Sequence, residues 1–245
     1  MRKVLILAAG LALFGTLGLE RNADARCVSH FVTAFPRGPL PENGRIVIEG
    51  QRASTAWVAA LEKPELVGGG ERIALNVESN YSRDPKWGYA QLVLVPARAP
   101  KKGATYTFSA KNVDENDRAS VASWSWKIGA ADNTAPTWNA APALNGKPVR
   151  EQLGCGDAVD APVSVNASDD GASVTLYRVD VSEGGTQVLS FIAQTKDGVL
   201  HLGRGMCGGP WDPTADKAYT VAFNAMDAAG NTTAAPGASI AITAP

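Results

Sequence analysis

Apolar and polar residues alternate with period two along much of this chain, and the clearest such run occurs twice. Residues 103–117 read GATYTFSAKNVDEND, and residues 216–231 read DKAYTVAFNAMDAAGN. Tyr106, Phe108 and Ala110 share one side of the first run, and Tyr219, Val221, Phe223 and Ala225 share one side of the second. Successive side chains of an extended strand point to opposite faces, so this spacing predicts two strands with one buried face each. In both runs an Asp stands eight residues after the Tyr, Asp114 after Tyr106 and Asp227 after Tyr219, and the copies are offset by 113 residues, Tyr106 to Tyr219. Each run enters a polar turn cluster and then a second strand-like segment, 123–128 and 239–243. A repeat of domain size indicates duplication rather than a solenoid.

Between these landmarks the pattern predicts further short strands. In the first half they cover 28–34, 45–50, 55–61, 72–78, 89–95, 104–112 and 121–129; in the second, 162–167, 173–181, 186–195, 198–203, 217–226 and 237–243. Segment 55–61 reads equally as a helical turn. Turn formers such as Gly68-Gly69-Gly70, Asp84-Pro85, Asp169-Asp170-Gly171 and Gly184-Gly185 separate them. About seven strands per half with no long helix describe a β-sandwich. Tyr106 and Tyr219 stand where a Greek-key sandwich places its tyrosine corner. Residues 131–136, with Asp132-Asn133-Thr134, form a linker too short for much freedom, so two sandwiches at 26–130 and 137–245 are expected to sit end to end.

The N-terminus adds a compartment. Arg2 and Lys3 precede an almost unbroken apolar run from Val4 to Leu19, and Ala23-Asp24-Ala25 supplies small residues at the −3 and −1 positions. That order is a secretory signal peptide, residues 1–25. The run is shorter than the ~20 apolar residues of a spanning helix, and no second apolar run follows, so the mature chain is expected to carry no transmembrane segment. Asp24-Ala25-Arg26 before Cys27 does not match a lipid-attachment pattern. The chain has 23 Lys and Arg against 24 Asp and Glu; cleavage after residue 25 removes Arg2, Lys3, Arg21, Glu20 and Asp24, leaving 20 against 22. With no basic tract, nucleic acid is excluded as a partner.

Several motifs resemble a known family. Asp227-Ala228-Ala229-Gly230-Asn231 is similar to the Asp-x-Ala-Gly-Asn signature of bacterial Ig-like repeats, and Asp132 to Pro136 resembles their Asp-x-x-x-Pro lead-in. The first half resembles the Ig-like modules of bacterial surface-layer proteins: Pro36 to Gly44 matches their opening region, Lys102 to Thr107 their Gly-x-x-Tyr strand, and Trp124-Ser125-Trp126 their closing strand. Asp114-Glu115-Asn116-Asp117 departs from the pattern by lacking a Gly. The resemblance implies an all-β chain of two tandem immunoglobulin-like domains. With the signal segment it gives an expectation of a protein exported to the periplasm, cell surface or exterior, and the absence of catalytic motifs gives one of a non-enzymatic, cofactor-free protein. Its role would be structural or the binding of a protein or glycan partner.

Candidate chemistry is sparse. The three cysteines are Cys27, Cys155 and Cys207. In an oxidising compartment Cys155 and Cys207, both in the second half and flanked by glycines, are expected to form a disulfide worth ~4 kcal/mol by loop entropy. Cys27 is then left over, to be free, to pair with another chain, or to compete. The alternative function is copper or zinc binding through Cys27-x-x-His30 or the His201, Met206 and Cys207 stretch, since sulfur and imidazole suit those metals. The outline of the first half also resembles small periplasmic copper-binding sandwiches, but those begin with a ligating His where this chain has Arg26 or Cys27. Asp114 to Asp117, Asp169-Asp170 and Asp227 offer oxygen ligands for calcium without an Asp-x-Asp-x-Asp-Gly pattern. No Gly-x-Ser-x-Gly or His-Glu-x-x-His motif occurs, and His201 reads as an exposed strand residue. Trp87, Trp124 and Trp126 are either a carbohydrate platform or core.

Overall fold

The computed structural model describes residues 30–82, 88–154, 156–170, 172–173, 176–237 and 239–245. The signal segment, Cys27, Trp87 and Cys155 lie outside the described residues. The fold is all-β, and its strand pairings fall into two sets that meet at the 131–136 linker.

In the first half one hydrogen-bonded path runs through seven strands: β1 (His30–Phe35), β2 (Ile46–Arg52), β5 (Tyr89–Pro96), β4 (Glu71–Asn80), β3 (Glu65–Gly68), β6 (Thr105–Ser109) and β7 (Ser125–Lys127). β4 lets the path fold over on itself. Its first residues, 71–74, pair with β3, whereas 75–80 pair with β5. The two layers enclose Leu40, Ile46, Ile48, Leu66, Ile73, Leu92, Leu94, Tyr106, Phe108 and Trp126. Segment 55–61 holds a helical turn, α1 (Thr55–Ala59), which buries Trp57 and Val58. A second turn, α2 (Arg118–Ala122), occupies the start of the segment expected as a strand at 121–129, leaving only β7 extended.

In the second half two five-stranded sheets stack as a sandwich. One is built on β10 (Gly156–Asp169), with β8 (Thr137–Leu144) and β9 (Val149–Leu153) pairing along it beside β11 (Ala172–Ser173) and β14 (Val199–Arg204). The other runs β13 (Thr186–Gln194), β12 (Leu176–Glu183) and β15 (Ala218–Met226), with β16 (Thr232–Ala234) and β17 (Ile240–Thr243) also on β15. Alternate residues of β10 (Val159, Ala161, Val163, Val165, Ala167) meet alternate residues of β15 (Tyr219, Val221, Phe223, Ala225) in a single core.

The repeat is visible as matched geometry. β6 pairs antiparallel with β7 and β15 with β17, setting Tyr106 opposite Trp126 and Tyr219 opposite Ile242. The Tyr106 hydroxyl accepts the Lys101 backbone N–H (3.1 Å), and the Tyr219 hydroxyl accepts that of Thr214 (3.0 Å). In each half a tyrosine therefore bonds back to the backbone five residues upstream, the tyrosine-corner arrangement.

The halves are packed more closely than the linker alone requires. β5 is buried from Tyr89 to Leu94 because it has two apolar neighbours. One face lies in its own core, while Val93, with Val47 and Phe35, packs against Leu176, Ile192 and Met226 of the second half. One end of the second sandwich thus abuts a sheet face of the first.

Candidate functional site

The junction between the halves is bonded through side chains as well as backbone. Gln91 on β5 is fully buried. Its Oε1 accepts the Ile192 N–H (2.7 Å) and its Nε2 donates to the Ile192 carbonyl (2.8 Å). Ile192 lies on β13, at one end of its sheet's strand order, so the amide of Gln91 meets backbone groups as a neighbouring strand would. Beside it Glu49 accepts from Gln51 (2.6 Å) and Tyr89 (3.1 Å). Burial pushes the Glu49 carboxyl up, against the opposing effect of those donors. Burial likewise pushes the Tyr89 hydroxyl well above its ordinary range.

A second contact uses the loop at residues 227–231. Asp227 Oδ1 accepts the Asn231 N–H (2.8 Å), Oδ2 accepts from the Asn231 amide (2.8 Å), and Gly230 takes a φ of +81°. Glycine suits this position because that φ disfavours any other residue, and a Cβ would also push the Arg45 side chain aside. Arg45 donates from its backbone to the Ala228 carbonyl (2.8 Å), reaches the Ala229 carbonyl with its guanidinium, and pairs with Glu78 (2.7 Å). Asn43 and Asn231 both bond the Asp132 carbonyl, at 2.6 and 3.2 Å, fastening the linker.

Two clusters bring metal-type donors together. Ligand atoms of Asp132, Asp169 and Asp227 lie within 4.8 Å of one another at the junction. Burial raises the Asp169 carboxyl, with Asp132, Asp227 and Asp170 adding to it, and burial also raises Asp227 against the donors of Asn231. The other cluster is His30, Asp114 and Asp117. His30 Nδ1 lies 3.1 Å from Asp117 Oδ2 and 3.5 Å from Asp114 Oδ1. Asp117 is buried and also accepts from Trp57 Nε1 (2.5 Å) and Ser54 Oγ (3.0 Å). Asp114 is held low first by the Asn116 backbone N–H.

Ser54, Asp117 and His30 are thus in contact, but the carboxylate stands between the other two. Ser54 spends its proton on Asp117 and accepts the Phe31 N–H (2.9 Å), so it is not placed as a nucleophile activated by an imidazole. His201, expected as an exposed strand residue, is 60% exposed and lies 2.9 Å from Asp160. The halves do not bring His30 and His201 into one cluster among the described residues. Nearby, Asp157 pairs with Arg204 (2.5 Å) and Arg150, which hold its carboxyl down to about 2.

Cys207 is disulfide-bonded. Its expected partner, Cys155, lies outside the described residues, as does Cys27 of the alternative metal site. Of the tryptophans, Trp126 is core, and Trp124 packs half-buried against Phe108 with ring centroids 5.5 Å apart. Trp124 also lines a cleft of about 350 Å³ between β1 and β7, with Val32, Thr33, Ala34, Arg37 and Ser125. The sequence offers Asp114, Asp117, Asp169 and Asp227 as oxygen ligands, but their grouping with His30 and with Asp132 arises only on folding, because these partners stand far apart in the chain.

No family model matches the chain, and no curated protein matches it. Among solved structures the chain is similar to the type I pullulanase of Bacillus subtilis str. 168 complexed with maltose, at 11% identity and a TM-score of 0.28. The alignment covers 85% of this chain and 24% of that one, so the chain spans about a quarter of that protein's length. A likeness of this size carries no argument about fold or activity.

Proposed function

We propose that this chain is an exported, non-enzymatic protein of two Ig-like sandwiches, acting as a stiff binding or structural module in the periplasm or at the cell surface. The observation that carries the reading is the junction. Gln91, Arg45 and the apolar contact of Phe35, Val47 and Val93 with Leu176, Ile192 and Met226 hold the halves together. A module that presents a surface needs a fixed shape, and loops over a rigid scaffold carry recognition. Export follows from the signal-type segment 1–25 and agrees with a disulfide at Cys207. Gly156 supports Cys155 as its partner, since a Cβ there would lie 3.5 Å from the Met206 carbonyl.

The test is fractionation of cells expressing the tagged chain, followed by cross-linking of intact cells and mass spectrometry. The chain should lose residues 1–25, leave the cytosol and form adducts with another cell-envelope component. A full-length, cytosolic, adduct-free chain contradicts the reading.

A second reading rests on the His30, Asp114 and Asp117 cluster. One imidazole and two carboxylates favour zinc over copper, whose softer forms select sulfur. Stoichiometric zinc in the purified protein, lost in His30→Ala, would support this reading over the first.

A further inference from the structure

We propose that the seam between β1 and β7 is a docking groove for an extended segment of another polypeptide carrying a carboxylate side chain. This inference rests on the partner-binding reading and says where the partner sits.

The seven-strand path of the first half ends at β1 on one side and β7 on the other. Hydrogen bonding reveals which backbone groups those ends leave open. Arg52 donates its N–H to the Gly88 carbonyl (3.0 Å), so even-numbered positions of β2 turn to β5 and odd-numbered ones to β1. Val32 and Ala34 oppose Gly50 and Ile48, so by the alternation of antiparallel ladders their N–H and C=O groups point away from β2. On β7, Phe108 N–H donates to the Trp124 carbonyl (3.1 Å) and Ile128 N–H to the Ala104 carbonyl (2.9 Å). Ser125 and Lys127 therefore turn outward. The Lys127 carbonyl is taken by Leu40 N–H (3.1 Å), and among the described residues no strand pairs with the outer edges of Val32, Ala34 or Ser125.

These open groups line one cleft of about 350 Å³, with Val32, Thr33, Ala34 and Arg37 on one side and Ser125 and Trp124 on the other. Ser120 and Ser123 of the α2 turn, which packs against β1, also line it. Its ends are pinned. Trp126 Nε1 donates to the Pro36 carbonyl (2.7 Å) at one, and His30 meets Asp117 (3.1 Å) at the other. Thr33 Oγ1 is buried there with no hydrogen-bond partner. Unmet backbone groups on facing strand edges are what a β-strand satisfies, and peptide recognition by strand addition uses them. Arg37 is the one charged residue lining the cleft; its guanidinium lies 6.0 Å from the Phe35 ring centroid, and no carboxylate among the described residues pairs with it. Charge complementarity therefore calls for an acid on the incoming segment. A sugar fits less well, because the Trp126 indole N–H is committed to Pro36, Trp124 packs half-buried against Phe108 with its ring tilted to it, and both strand edges would stay unmet.

The experiment is a ¹⁵N NMR titration of the folded, exported chain with four probes. They are a capped five-residue peptide alternating threonine and valine around a central glutamate, its lysine-centred version, its backbone N-methylated version, and chitotriose. The glutamate peptide should shift the amides of Val32, Ala34 and Ser125, and the lysine peptide should bind at least about tenfold more weakly. The N-methylated peptide and chitotriose should leave those amides unmoved. Arg37→Glu, an exposed change, should reverse the preference between the two charged peptides. Ala34→Pro, which removes an outward N–H and spares the β2 pairing, should weaken the glutamate peptide alone. Slow hydrogen exchange at Val32 and Ala34 in the free protein would overturn the proposal, as would shifts with chitotriose instead of peptide, or equal binding of both charged peptides. If the peptides fail while cell cross-linking still finds a partner, the groove is refuted and partner binding stands; failure of both refutes both.

Discussion

Replacing Gln91 by leucine keeps the volume of the side chain and removes its two bonds to Ile192, at 2.7 and 2.8 Å. The Ile192 N–H and C=O stay in place. Ile192 is 4% exposed and Gln91 fully buried, so water has little access to restore the lost partners. An unsatisfied buried backbone group costs about 1–3 kcal/mol, so the pair together costs roughly 3 kcal/mol. For a cooperative unit of this size that corresponds to a fall in Tm of roughly 6–12 °C. Differential scanning calorimetry and urea unfolding measure it directly. Because Gln91 belongs to the first half and Ile192 to the second, the loss should lower the stability of both together, and the m-value should stay that of one unit until the junction opens. A loss under about 0.5 kcal/mol, the scale of an ordinary surface change, would show that the junction is wet or transient and refute the reasoning.

Gly230→Ala should destabilise by about 1–3 kcal/mol through its positive φ and the collision with Arg45, and the penalty should shrink in an Arg45→Ala background. Tyr219→Phe should cost about 1 kcal/mol in urea unfolding by orphaning the Thr214 N–H, and Tyr106→Phe more, since its hydroxyl also donates to Glu71. Glu49, Asp169 and Asp227 have raised pKa values, so the folded chain holds their protons more tightly than the unfolded chain. Stability should accordingly rise as the pH falls from neutral to about 4. Asp157, held down to about 2, works the other way: its contribution is present above the ordinary aspartate range and is lost as the pH falls from about 4 towards 2. Urea midpoints across that range should therefore pass through a maximum, and a steady decline from neutral pH downward would contradict the assignments.

What could be read from the chain alone was whatever leaves a periodic trace. β6 and β15 bury alternate residues, and both tyrosine corners were recognisable from Tyr106 and Tyr219. β8 and β9 went unseen because each is largely exposed along both faces, so neither shows alternation; β3 is only four residues long. α1 and α2 are single turns whose apolar residues, Trp57, Val58 and Val121, are too few to establish a helical period. The junction did leave a trace, in the near-continuous apolar run from Tyr89 to Val95 interrupted by Gln91, since a strand buried on both faces loses its alternation. The acids of the clusters around Asp117 and Asp169 stood out as loop carboxylates, but their grouping with His30 and with Asp132 left no trace. Asp117 is gathered with Trp57 and Ser54 from about sixty residues away, a pairing that only long-range register creates.

Site-specific photo-cross-linking in intact cells tests the account most directly, with the photoreactive group placed at Ser125, an exposed residue at the rim of the β1–β7 cleft. The exported chain should form one discrete adduct with another polypeptide, and Arg37→Glu should abolish it without changing the amount of chain exported. An adduct that survives Arg37→Glu unchanged, or none at Ser125 in chain that has reached the envelope, would contradict the account.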